Sequence, residues 1–454
     1  MIVVKFGGTS VADAPAISRA IEIVRGRLDR EPIVDVSALA GTTNALLAIA
    51  DQASRGQLIG AVRAVEALRE RHLGEASALL GDGRECDELS ADLSAMFDEL
   101  AHLAEALSVL GDLTPRSKDA ISAIGERLSS QLVVAAMLRA GLPAEHVDAR
   151  DVMFTDDRFC GAEPQTEMIA TASRDRLLPI VRRGKVPVLG GFIGATRTGV
   201  TTTLGRGGSD YSAALIGAAL GAEAIEIWTD VDGMLTADPR VVKDAKLIEQ
   251  IRFDEASELA SFGAKVLHPS TIAPAVERGI PVWIFNSRNP AGKGTRITHE
   301  APRRAVSAIA ARGGIVLLQM RTARMLLVPG FLRRFFEVFE RKGVSVDVVA
   351  TSEVSVSVTI DEGADLDDLL VELRELGDLT IARGKGVLAV VGAGIGDGGE
   401  AMGRALGALA GVRVHLVSLS AAGINLSVVI DEAETPAAMC RLHETFFGAA
   451  AATT

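Results

Sequence analysis

From IVVKFGG at residues 2–8 to IPVWIFNS at 280–287, runs of β-branched and apolar residues alternate with helical stretches. The strand-like runs between them are IVDVSAL (33–39), HVDARDVMF (146–154), KVPVLGGFIG (185–194) and AEAIEIWTD (222–230). Neighbouring strands joined through helices run parallel, and a parallel sheet has to be covered on both faces. The alternation therefore predicts an α/β fold with a central, mostly parallel sheet flanked by helices. The first helix is expected over APAISRAIEIVRGRL (14–28) and a later one over 116–139. Residues 51–110, rich in Ala, Leu, Glu and Arg, offer no strand and read as a helical insertion with a loop at GDGREC (81–86). Open sheets of this kind bind ligands beyond the carboxyl ends of their strands, where this chain places its glycine turns.

After Arg304 the texture changes. VSVDVVATSEVSVSVTIDE (344–362) and VRVHLVSLSAAGINLSVVIDE (412–432) are alike, each with two β-branched runs around a small-residue turn. With a strand and a helix before each and a helix after, they read as two βαββαβ-like repeats, suited to a paired small domain with a regulatory role. The closing GAAAATT reads as a frayed tail.

A chain of 454 residues calls for two or three domains, and 48% hydrophobic content takes it out of the disordered regime. Its net charge of −12 argues against nucleic-acid or anionic-membrane partners, though not against an anionic substrate held by local basic groups. Cys86, Cys160 and Cys440 lack CxxC spacing, so no zinc site or disulfide framework is expected, and reduced thiols in a cytoplasmic protein are. No signal peptide, transit peptide or membrane span is read in the sequence.

Chemistry concentrates at the glycine turns. Lys5-Phe6-Gly7-Gly8 sets a mobile ammonium at a strand end, with glycines where backbone amides can approach a phosphate. The same residues also suit an ordinary strand-to-helix turn with a solvated lysine. No GxxxxGK[ST] occurs, which excludes a Walker-type nucleotide site. In TTTLGRGGSD (201–210), Arg206 can fork onto a carboxylate, while Asp210 can receive an ammonium or simply cap the following helix. TDVDGMLTADPR (229–240) can clasp a nucleotide, with Arg240 reaching phosphate, or be a surface loop. Glu126 stands on an otherwise apolar helix, either as a functional carboxylate or as a helix-start residue. Lys265 lies near a helix end in FGAKVLHP, where His268 reads as structural. A formal GxGxxG at Gly394, Gly396 and Gly399 lacks the acidic residue that a dinucleotide site needs after the next strand, and it falls inside the small-domain repeat.

Together KFGGTSV (5–11), VSALAGTTN (36–44), GERLSS (125–130), TTTLGRGGSDYSAALIGAALGA (201–222), IWTDVDGMLTADPRVV (227–242) and FGAKVLHP (262–269) resemble the aspartokinases, of the amino-acid kinase fold. The insertion is similar to that of the longer, lysine-sensitive class, and the tail resembles the family's two ACT domains. The resemblance implies a catalytic domain over 1–303 and ACT domains over 304–384 and 385–454. It implies ATP-dependent phosphorylation of the L-aspartate β-carboxylate, the step that opens the route to lysine, threonine, methionine and isoleucine. By matching position, Lys5 and the Gly7–Gly8 turn would contact the transferring phosphoryl group. Ser37, Thr43, Glu126, Phe192, Arg206, Gly207, Gly208, Ser209 and Asp210 would surround aspartate, with Arg206 on its α-carboxylate. Phe6, Thr229, Asp230, Leu235, Arg240, Lys265 and Val266 would belong to the ATP site. The family often has tyrosine where this chain has Leu235, which leaves an apolar surface there but no ring to stack on the base. Mg²⁺ is expected to arrive with ATP, and no protein metal site is expected.

RMLLVPGFLRRFFEVF (324–339) and the following GVSVDVVATSEVSV resemble the first ACT domain of lysine-inhibited aspartokinases. Met325, Gly330, Phe331, Leu332, Ser345, Val346, Asp347, Ser352 and Glu353 would then line an effector pocket between paired subunits. Asp347 and Glu353 suit an ammonium, and the amides near Phe331 suit a carboxylate. Against lysine, Leu327 and Val328 stand where the lysine-sensitive class tends to carry polar residues. Lysine is the expected effector, with threonine as the alternative. ACT domains kept only for dimerisation are a further reading. A homodimer is expected, with a tetramer as the next assembly.

Overall fold

The protein, represented by a computed structural model, is described over residues 1–262, 269–322, 329–363 and 366–448. It divides into two compact units, Met1–Met234 with Val266–His299, and Leu235–Lys265 with Glu300–Thr454.

The first unit is built on β1 (Ile2–Phe6), β2 (Pro32–Val36), β3 (Ala144–His146), β4 (Val186–Gly190), β5 (Ile193–Ala195), β6 (Thr201–Thr203) and β7 (Ala224–Thr229). β8 (Gln250–Ile251) falls in the second unit, and β9 (Val282–Asn286) and β10 (Thr295–Ile297) complete the first. Within this unit the main sheet runs β3-β4-β2-β1-β7-β9-β10, parallel except for β10. Every residue of β1 and β2 is buried, as expected for central strands covered on both faces. Their helices are α1 (Ala14–Arg25), α2 (Thr42–Ser54), α3 (Leu58–Leu80), α4 (Arg84–Leu110), α5 (Pro115–Ser122), α6 (Ile124–Arg139), α7 (Thr166–Arg176), α8 (Leu178–Arg182) and α9 (Gly208–Leu220); α10 (Phe253–Ser261) lies in the second unit and α11 (Ala273–Glu277) in the first.

α3 and α4 form the helical insertion, turning at Gly81–Gly83, and their Val65, Leu93 and Phe97 join the same core as Val4, Val34 and Leu128. Two helices, α5 and α6, occupy the stretch expected as one. Together, Pro115–Arg139 is long and apolar enough to cross a membrane, but 78% of its apolar window is buried within the fold, the position of a core helix.

Sequence reading fails at HVDARDVMF. Only His146 of that run is in a strand, and Ala149–Asp151 form a 3₁₀ turn. Asp148 accepts from Arg150 N at 3.0 Å and pairs with its guanidinium at 2.6 Å, so local side-chain bonds outcompete the ladder. KVPVLGGFIG also divides, into β4 and β5, at Phe192, whose φ of 66° turns the chain. β5 pairs antiparallel with β6, a hairpin too short to announce itself in the sequence.

The second unit adds β11 (Ala308–Arg321), α12 (Phe331–Arg341), β12 (Val349–Thr351), β13 (Ser355–Asp361), α13 (Asp367–Leu376), β14 (Asp378–Val391), α14 (Glu400–Ala408), β15 (Leu416–Leu419), β16 (Asn425–Asp431) and α15 (Thr435–Phe447). They form one antiparallel sheet in the order β12-β13-β11-β14-β16-β15. The two 14-residue strands β11 and β14 each serve both repeats. Ile315–Arg321 pair with β13, whereas Ile309 packs with Leu388, Leu426 and Leu442 in the other repeat's core. Two glycines of the formal dinucleotide motif serve packing: a Cβ on Gly394 would lie 3.2 Å from Ala305 Cα, and one on Gly396 would lie 3.0 Å from Gly423 O.

Asp119 of α5 fixes the approach to the GRGG turn. Buried at 1% exposure, it accepts from Cys160 N at 2.9 Å, Thr203 N at 3.0 Å and Thr203 Oγ1 at 2.6 Å. Asp119→Ala strands these buried donors and is expected to cost about 3 kcal/mol. Urea denaturation of the variant beside wild type checks this, and a cost near zero would contradict it.

Candidate active site

Lys5 and Asp35 are register partners on adjacent parallel strands, so their side chains leave the sheet on one face. α9 covers that face. Its Asp210 carboxylate meets the Lys5 ammonium at 2.7 Å, an ion pair rather than a well-angled hydrogen bond. One half-turn on, Ser212 Oγ donates to Asp35 Oδ2 at 2.7 Å. Asp210 makes no helix cap; its partner is Lys5.

Above this pair opens a cleft of about 440 Å³. Lys5, Gly8, Ser37, Thr43, Glu126, Phe192, Arg206, Gly207, Gly208, Ser209 and Asp210 all line it, so motif residues from separate stretches of the chain converge. α2 and α9 both start here behind left-handed glycines, Gly41 (φ 81°) and Gly207 (φ 72°), with no side-chain cap. Their first turns therefore direct partial positive charge into the cleft, a setting for anions. Arg206 is exposed and makes no ion pair among the described residues.

One glycine and one phenylalanine behave differently from expectation. Gly7 N donates to Trp228 O at 2.9 Å, so its amide is consumed within the sheet, and Gly8 is the glycine that lines the cleft. Phe6 points into the core, 1% exposed, with its ring 6.5 Å from that of Trp228.

Two carboxyls in the site are deeply buried. Glu126, 3% exposed in the first turn of α6, accepts from Ala38 N at 3.2 Å while its Oε2 has no partner. Burial pushes its carboxyl up to about 8. Asp35 is fully buried, its Oδ1 is unpartnered, and burial pushes it up to about 7 against the opposing pull of Ser212 and Lys5. Asp35 is the residue that sequence reasoning missed. The signal was an acid inside the β-branched run IVDV, at the strand position matching Lys5. Gly191 is glycine because of it: a Cβ there would lie 2.2 Å from Asp35 Oδ1.

Of the expected nucleotide residues, Thr229 and Asp230 belong to the first unit. Thr229 ends β7, where its carbonyl accepts from Ser287 N at 2.8 Å, and Asp230 is exposed beside it. Leu235 and Arg240 belong to the second unit, where Arg240 is tied to Asp238 at 2.6 Å. Lys265, Val266 and His268 lie outside the described residues.

Of the expected effector residues, Met325 lies outside the described residues, as do Leu327 and Val328. Gly330, φ 83°, precedes α12, and Leu332, Ser345 and Glu353 are exposed. Phe331 is a core side chain packed with Phe335, leaving only its backbone for a ligand. Val346 is half-buried, Ser352 bonds Ser355, and the Asp347 carboxylate is already held by Arg312.

A model of the amino acid kinase family matches residues 1–286, and one of the ACT domain matches 388–446. The chain is 35% identical to lysine-sensitive aspartokinase 3 of Escherichia coli K12, over 98% of this chain and 99% of that one. It is 34% identical to the chloroplastic aspartokinase 1 of Arabidopsis thaliana, over 98% of this chain and 80% of that one. This chain belongs to the aspartokinases of the amino acid kinase family. It is a kinase with a carboxyl acceptor. Among solved structures, E. coli aspartokinase III in complex with aspartate and ADP, in its R-state, matches with a TM-score of 0.85 at 35% identity, covering 98% of this chain and all of that one. The same enzyme with lysine and aspartate, in its T-state, matches at 0.83 and 36% identity, covering 98% and 99%.

In this aspartokinase Asp35 and Glu126 hold protons more tightly folded than unfolded, where they start from 3.8 and 4.5. Unfolding therefore releases protons, and stability present at acid pH is lost as pH rises through about 7 and 8. The ligand-free protein is expected to lose thermal stability from about pH 5 to pH 8, more steeply than Glu126→Gln. Calorimetric melting across that range checks it; parallel curves for the two proteins would contradict it.

Proposed function

We propose that the cleft aligns the β-carboxylate of L-aspartate with the γ-phosphate of ATP, yielding 4-phospho-L-aspartate and ADP. The observation that carries this reading is the Lys5–Asp210 pair at the floor of a cleft whose rim offers the unpaired Arg206. A carboxylate is a competent nucleophile at neutral pH, so the site needs no general base. Its oxygen attacks the γ-phosphorus, and the bond to the β-phosphate oxygen breaks as ADP leaves. The obstacle is repulsion between two anions, which positioning and fixed positive charge overcome.

Lys5 supplies that charge at the phosphoryl group, with Gly8 and the first turns of α2 and α9 beside it. Arg206 forks onto the α-carboxylate. Glu126 serves the ammonium, whose arrival draws it into its charged form, while Asp210 holds Lys5. Ser37 and Thr43 stand by the substrate, with Phe192 and Gly207–Ser209 shaping its pocket. Thr229, Asp230, Leu235, Arg240, Lys265 and Val266 belong, in this reading, to the nucleotide side. The aspartate and ADP bound in the complex of the E. coli relative support the choice of substrates. The acids at the cleft do not fit a cation cage: Asp35 and Glu126 are buried and proton-holding, and Asp210 is occupied by Lys5. Mg²⁺ accompanying ATP would be held by the nucleotide phosphates and would supply neutralising charge there.

Hydroxylamine trapping of the acyl phosphate, dependent on both ATP and aspartate, tests the reaction. Lys5→Ala is expected to lower kcat by about 10²–10³, the effect of losing one preorganised donor. Turnover near wild type in that variant would discard the role.

The second unit, in this proposal, carries lysine feedback and pairs two subunits through ACT domains in a cytoplasmic enzyme feeding lysine, threonine, methionine and isoleucine synthesis. Domain limits of 1–303, 304–384 and 385–454 belong to the same reading. The lysine sensitivity named for the E. coli relative, and its complex with lysine, support it. An effector ammonium has to share or displace the Arg312 contact of Asp347, or use Glu353 instead. Lysine is expected to raise the apparent KM for aspartate by about 5-fold or more, the low end of ordinary coupling. Titrations that stay flat with lysine and threonine, separately and together, would refute regulation.

A further inference from the structure

The mechanism uses Lys5, Asp210, Arg206 and Glu126 but leaves Asp35 without a task. Asp35 is an acid at 0% exposure, directly across the ladder from Lys5. Four features of its surroundings bear on what it does. One oxygen, Oδ2, takes a single hydrogen bond, from Ser212 at 2.7 Å. The other, Oδ1, is buried and unpartnered. Gly191 brings bare backbone so close that no side chain or water layer separates it from Oδ1. The charged groups facing Asp35 are Lys5 from β1, Asp210 from α9 and Glu126 from α6, while β4 presents only Leu189 and Gly190.

A carboxylate has about four acceptor sites, and here one is filled. Full ionisation would set three carboxylates around one ammonium in a site that must also admit two anions. Neutral, the group costs little and leaves the Lys5 charge shared with Asp210 alone. We propose that Asp35 is a positioning residue for the phosphoryl transfer: as a neutral acid it leaves the Lys5 ammonium to the phosphoryl group, and on ionising it draws that ammonium back toward the sheet. The inference rests on the reading of Lys5 given above. It makes Asp35 a built-in alkaline brake, and burial that raises its carboxyl to about 7 puts the brake within the working range of the enzyme.

The test is kcat at saturating ATP and aspartate from about pH 6 to pH 8.5, in wild type, Asp35→Asn, Ser212→Ala and Lys5→Ala. Wild-type kcat is expected to fall by about tenfold across the range as Asp35 ionises, and Asp35→Asn, which keeps an acceptor for Ser212 but cannot ionise, by less than about twofold. Ser212→Ala removes the one donor that favours the charged form, so its fall is expected at higher pH than in wild type. A structural hydrogen bond alone would move neither profile. An Asp35→Asn profile that keeps the wild-type fall overturns the inference. If that variant does not fold, an unshifted Ser212→Ala profile overturns it. Lys5→Ala separates the two readings: near-normal turnover there sinks the phosphoryl role and this inference with it. A crippled Lys5→Ala beside an unaltered Asp35→Asn profile sinks this inference alone.

Discussion

The catalytic unit depends on one constraint, the pairing of a buried lysine with an acid on the helix that covers it. Lys5 leaves a fully buried strand, and α9 delivers Asp210 to 2.7 Å from its ammonium. That pairing dictates where α9 must start, and hence why the preceding turn is Gly205-Arg206-Gly207-Gly208. A Cβ on Gly208 would lie 2.7 Å from the Phe192 ring, so the turn packs against the β4–β5 bend with no room to spare. Asp119 secures the same turn from the other side through Thr203. The GRGG turn thus sits between two pinned ends, and the groups that line the cleft from it are held in place.

The sheet contributes in a second way. The parallel strands gather their carboxyl ends at one rim, and the starts of α2 and α9 line the cleft. Unsatisfied amides from both helices then face the same volume, which opposes the crowding of negative charge there. A buried carboxyl adds nothing to that crowding while it keeps its proton. Helix starts supply locally a positive field that a chain with net charge −12 lacks by composition.

Much of this was legible in the sequence. Lys5, Arg206 and Asp210 stand in glycine-rich turns where a charged residue has few structural uses, and the helical insertion was visible because no β-branched run interrupts it. Asp35 was hidden, since one acid in an apolar strand looks like an edge residue until its neighbours are known. HVDARDVMF misled because Asp148 and Arg150 satisfy each other within one turn. The nucleotide side was the least readable: TDVDGMLTADPR has no periodicity, and its turn formers suit a surface loop equally well.

β11 and β14 have a consequence for how the C-terminal unit could have arisen and been reused. Each strand gives one end to one repeat and the other end to its twin, so the duplicated halves are interleaved rather than strung in series. Neither half owns a complete set of strands. Recombination at the seam would orphan backbone on both sides. A disturbance felt by one half reaches the other along continuous covalent chain.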